Sequence, residues 1–117
     1  MLYTEKKVDI AHERFGGTGD VIMEHYIDEK MINSSIVMYA KVTMKPGCGL
    51  GYHKHTGNTE TVVVLSGTAQ CNDDGVLRVL HAGDITHCLE GHSHSIANAP
   101  DATEDLVLQA LIAKVDA

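Results

Sequence analysis

The chain has 117 residues, 44% of them apolar, which is enough for one globular core without a disulfide or metal staple. A formal charge of -7, with no basic cluster to offset it, argues against nucleic acid and anionic membrane as partners. The longest apolar runs, such as VVVL at 62–65, are strand-sized and far too short to span a bilayer as a helix.

The opening MLYTEKKVDI has no charged leader followed by an apolar run, so it reads as a chain without a signal peptide. FGGTGD at 15–20 predicts a turn, VIMEHYI at 21–27 a strand, and DEKMIN at 28–33 a loop or one helical turn. Residues 36–44 alternate cleanly, with Ile36, Met38, Ala40, Val42 and Met44 on one face, and Pro46-Gly47 ends the run. ETVVVL at 60–65 predicts another strand. Thr68–Asn72 and Val76–Leu80 flank DDG, a hairpin signal because Asp-Gly tolerates positive φ. Short strands follow at 85–89 and 92–97, and a closing strand at 106–113. At least eight strands at short spacing predict an all-β barrel or sandwich in a single domain over 1–117.

Histidine is the compositional anomaly: eight are present, four of them in two H-x-H pairs, His53/His55 and His92/His94. Residues two apart on a strand share a face, so each pair projects to one side. A turn at Thr56–Thr59 can return the carboxylate of Glu60 beside His53 and His55. Two imidazoles and a carboxylate suit a borderline divalent metal, and a third imidazole makes four protein ligands, leaving positions open on a five- or six-coordinate ion. Cys48, Cys71 and Cys88 are odd in number and form no CxxC pair, so they read as small buried hydrophobes in a reduced, cytoplasmic protein.

The spacing of these residues resembles the cupin superfamily. Gly47, His53, His55, Glu60 and Gly67 meet every position of one cupin signature; Gly83, Gly91, His94 and Asn98 meet the second, with Leu89 in place of its proline. The proline stiffens a turn, so its loss touches no ligand. The resemblance covers residues 36–112 and implies a double-stranded β-helix (jelly-roll) barrel with its core at about 36–112 and N-terminal strands at about 1–33. It implies one divalent ion (Fe, Mn, Zn or Ni) on His53, His55, Glu60 and His94, and a homodimer that pairs N-terminal strands. It also implies either a metal-dependent enzyme on a small metabolite (oxygenase, isomerase or epimerase, lyase, decarboxylase) or a non-catalytic small-molecule or sugar-acid sensor.

Several residues carry secondary expectations. Alternation aims His92 into the cavity with His94, as a catalytic acid/base or substrate contact. His87 is either a cavity residue or an exposed strand polar. Tyr39 and Tyr52 face away from the interior, and His12, His25 and His81 are surface or turn residues. No arginine lies near either motif, which disfavours a bidentate clamp on a carboxylate or phosphate, and Lys41, Lys45 and Arg78 point outward.

Overall fold

Alternation of apolar and polar residues sets nearly every strand. A computed structural model describes residues 1–28 and 35–115. The described strands are β1 (Lys7–His12), β2 (Asp20–His25), β3 (Ile36–Met44), β4 (Gly49–Lys54), β5 (Asn58–Ser66), β6 (Thr68–Asp73), β7 (Val76–His81), β8 (Ile85–Cys88), β9 (Ser93–Asn98) and β10 (Leu106–Lys114). They form two antiparallel sheets, β1-β2-β3-β10-β5-β8 and β4-β9-β6-β7. The all-β jelly roll is therefore as expected. The reading of 28–33 lies, from residue 29 on, outside the described residues.

The inner faces make one core. Val21, Met23, Val42, Met44, Val62, Val64, Leu106 and Leu108 of the six-stranded sheet pack against Ala69, Cys71, Leu80 and Ile96 of the other. Burying such side chains contributes about 1.5–3 kcal/mol each, so this layer carries the stability of the barrel. The DDG hairpin forms: Asp74 and Gly75 take φ of 50° and 96°, the positive values that match the twist of β6 and β7. Asn98, buried at the end of β9, donates through Nδ2 to the carbonyls of Met44 (3.1 Å) and Glu104 (2.9 Å), tying both sheets to the loop before β10.

Two features depart from expectation. Strand β1 has no turn-flanked apolar run; Val8 and Ile10 are exposed and the strand exists by pairing with β2. The segment read only as a turn contains a single 3-10 turn, Arg14–Gly16, lying against β4. The first is set by pairing with the next strand in the chain and the second by contact with β4, distant in sequence; local propensity encodes neither.

Candidate metal centre

Strand β4 would not face its histidines inward on alternation alone. Leu50 packs against the core, so strict alternation would send Tyr52 and Lys54 inward as well. A bulge prevents this. Between the pairs Leu50↔Ile96 and His53↔His94, β4 carries one more residue than β9, and the face switches after Gly51. His53 and His55 then point in, while Tyr52 and Lys54 are exposed. His53 and His94 are direct cross-strand partners, with ring centroids 4.7 Å apart. Glu60 comes from the other sheet, on β5, between Cys88 of β8 and Ile112 of β10. The site therefore bridges the two sheets at one end of the barrel.

His55, Glu60 and His94 are buried at 6%, 7% and 4% exposure, and His53 is partly so. His55 Nε2 lies 3.1 Å from Glu60 Oε1 and 3.0 Å from His94 Nε2, and His94 Nε2 lies 2.8 Å from the same Glu60 oxygen. One ligand atom from each of the four residues falls within 4.8 Å of all the others. Two donors about 2.1 Å from one ion and at right angles to each other are about 3.0 Å apart, so the donor set fits a single divalent cation. The other ring nitrogens of His53 and His55 are committed elsewhere. His53 Nδ1 donates to the Gly51 carbonyl (2.7 Å) and His55 Nδ1 to Asn58 Oδ1 (2.5 Å), fixing the tautomers that turn Nε2 toward the centre.

Charge supports the same arrangement. Burial alone would raise the Glu60 carboxyl, but the ring nitrogens of His55 and His94 outweigh it and hold the group down to about 2. Glu60 holds His55 above its ordinary value, against the opposing effect of burial. His53 is lowered, chiefly by burial. A ligand imidazole must be neutral to bind metal, so acid releases the ion through the histidines, long before Glu60 titrates. Metal loss is expected as pH falls from about 7.5 to about 5.5, with His55, held up by Glu60, protonating before His53, held down by burial. Elemental analysis after dialysis at stepped pH checks this, and full retention at pH of about 4 would contradict ligation by these imidazoles.

A cavity of about 350 Å³ opens beside the cluster, lined by His53, His55, Glu60, Asn58 and the apolar Met23, Met38, Leu50 and Ile112. Arg14 and Phe15 also line it, as does Lys54 at the adjacent position on β4. This corrects the view that no arginine is near the motifs: Arg14 is remote in sequence and arrives on the 3-10 turn. The Phe15 ring stacks on His53 at 3.9 Å between centroids, 17° from parallel. Gly17 and Gly51, which face each other across this contact, are the one sequence signal that could have revealed the approach.

His92 does not enter the cavity. Strand β9 begins only at Ser93, so His92 sits in the preceding turn, exposed, with Nδ1 2.7 Å from Asp74 Oδ2 of the β6–β7 hairpin. Alternation fails there because the residue is not in the strand. His87 is exposed and bonds Thr61 Oγ1 (2.9 Å). His25 and His12 pair with Asp9 (2.8 Å) and Asp20 (2.6 Å). Cys88 is buried beside Glu60; burial first, and that carboxylate second, push its thiol up to about 11, so it stays protonated and inert.

Comparison with known proteins accords with this geometry. Residues 40–108 match the cupin domain family. The chain is 34% identical over 83 residues to the oxalate-binding protein of Thermotoga maritima, covering 71% of this chain and 69% of the relative. It resembles the crystal structure of a predicted oxalate decarboxylase from Thermotoga maritima with a TM-score of 0.89 and 29% identity, covering 98% of this chain and 100% of that one. The polyketide cyclase RemF of Streptomyces resistomycificus shares the fold at a TM-score of 0.76 and 16% identity, over 99% of this chain and 81% of its own.

Proposed function

This chain belongs to the cupin domain family, and from that premise we propose that it holds one divalent metal ion on His53, His55, Glu60 and His94 and binds a small carboxylate anion of the oxalate class beside it. The observation that carries the reading is the charge of the cavity. The chain as a whole is at -7, yet the cavity lining contributes Arg14 and Lys54, and its single carboxylate, Glu60, belongs to the ligand cluster. A divalent cation adds further positive charge. Such a pocket concentrates anions against the field of the rest of the protein. The name of the 34% identical relative points to the same ligand class.

When bound, the ion supplies Lewis acidity toward an anionic oxygen and open coordination positions for it; iron, manganese, nickel and zinc all accept this donor set. The protein's own residues do the rest. Gly51 and Asn58 orient the imidazoles, Met23, Met38, Leu50 and Ile112 exclude water, and the protein cations balance ligand charge. Binding is favoured over turnover by the lining itself. Among the described residues that line the cavity, every imidazole and carboxylate belongs to the metal-ligating cluster, which leaves only Arg14 and Lys54 as other ionisable groups. With His92 outside, no separate histidine or carboxylic acid in that lining can deliver a proton to a departing or decarboxylating carbon.

Titration calorimetry of metal-loaded and metal-free protein with oxalate tests the proposal. Metal-dependent binding is expected, with no formate or carbon dioxide produced on prolonged incubation. Absence of binding by the metal-loaded protein would sink the ligand class, and stoichiometric release of formate and carbon dioxide would replace the binding protein with a decarboxylase. The homodimer expected from the cupin resemblance belongs to the same reading. Exposed Val8 and Ile10 on the edge strand β1 support it, and a monomer in sedimentation equilibrium would remove it.

A further inference from the structure

The 3-10 turn Arg14–Gly16 is held over the metal cavity by backbone contact. A Cβ on Gly51 would stand 1.9 Å from the Phe15 carbonyl oxygen and 2.8 Å from Gly17 N. A Cβ on Gly17 would stand 2.2 Å from the Gly49 oxygen. The Gly49 amide donates to the Thr18 carbonyl at 2.9 Å, closing the contact. Two residues that avoid the left-handed region adopt it here: Glu13 at φ 46° and Phe15 at φ 56°. A phenylalanine in that region costs on the order of 1–3 kcal/mol, and it persists only where the surroundings over-determine it. The strain has a visible product. Phe15 lies flat on the His53 imidazole, and the neighbouring Arg14 side chain lines the cavity.

Arg14 has no anionic partner among the described residues. Its one side-chain hydrogen bond among the described residues is from Nη1 to the Met23 sulfur at 3.8 Å, and no carboxylate of those residues lies within ion-pair distance. A guanidinium carries five donors in a planar fork that fits a carboxylate bidentately. Here the fork borders a cavity whose other wall is the His53, His55 and Glu60 cluster. We infer that Arg14 is the specificity-determining residue of this site, reading the second acidic group of a dicarboxylate whose first group sits at the metal cluster. This rests on the carboxylate-binding reading above and goes beyond it. The site then selects dianions over monoanions, and the selectivity comes from a residue contributed by the N-terminal segment rather than from the ligand motifs.

The test compares oxalate with glyoxylate, which keeps one carboxylate and replaces the other by a neutral aldehyde. Both are titrated into full-length, metal-loaded wild type, Arg14→Gln and Arg14→Lys, with metal content and thermal midpoint measured alongside. Arg14→Gln is expected to weaken oxalate by about 10- to 100-fold, the usual cost of a lost charge-assisted pair, while glyoxylate affinity stays within about 3-fold and metal content is unchanged. Arg14→Lys should recover part of the oxalate affinity, because charge returns without the fork. Equal weakening of both ligands, or no weakening of either, would overturn the role of Arg14 and leave the carboxylate-binding reading standing. Wild type that binds neither ligand would instead remove that reading, and this inference with it.

Discussion

Replacing His53 and His55 together by alanine is expected to abolish metal binding while leaving the barrel folded. These two side chains supply half of the donor set. Losing even the hydrogen-bonded partners of metal ligands costs about 10- to 100-fold in affinity, so losing two ligands should exceed that range. The effect on folding is smaller for a structural reason. The core is the Val, Leu, Ile, Met and Ala layer between the sheets, and neither histidine is part of it. The variant does leave Glu60 buried with His94 as its remaining imidazole partner, at 2.8 Å. The carboxyl is then expected to rise from about 2, because the share of the opposition to burial that His55 supplies is gone while that of His94 remains. The expected result is near-stoichiometric metal in wild type, none in the variant, an unchanged β-type circular dichroism spectrum, and a midpoint for the metal-free variant within a few degrees of metal-free wild type. Parallel loss of metal and of folded structure would mean that the cluster holds the barrel together rather than serving a ligand.

The largest effect on stability should come from Gly51→Ala. The added methyl meets the Phe15 carbonyl oxygen and Gly17 N, which are backbone atoms and cannot rotate away as a side chain would. Overpacking of this kind costs about 3 kcal/mol. For a chain of this length that corresponds to a fall of about 10 °C in the midpoint. The damage should also reach the site, because Gly51 belongs to the bulge that turns His53 inward and its carbonyl accepts the His53 Nδ1 proton. Thermal unfolding of the metal-free protein, with a metal titration alongside, checks both parts. An alanine variant with wild-type midpoint and metal affinity would show that the turn does not rest on β4 as described.

Much of the site was legible because its signals are local. The spacing of His53, His55 and Glu60 encodes a strand, a turn and a returning strand, and Gly83 through Asn98 encodes the second half in the same way. The alternation of 36–44 and the Asp-Gly turn likewise depend on neighbours in the chain, and both formed as expected. His92 was misplaced for the converse reason. Alternation holds only within a strand, and whether β9 begins at His92 or at Ser93 is decided by pairing with β4 and β6 and by the pull of Asp74 from a different hairpin.

The sequence by itself determined an all-β cupin barrel and the donor types of a candidate metal centre. Both follow from period-two patterning and short-range turn chemistry, which propagate along the chain without knowledge of what packs where. Only the tertiary structure decided what closes over that centre. Arg14 and Phe15 reach it because two glycines, Gly17 and Gly51, let two backbone segments, far apart in sequence, approach more closely than any side chain permits. That contact is a property of space, not of local pattern, and it brings a cation to the cavity lining.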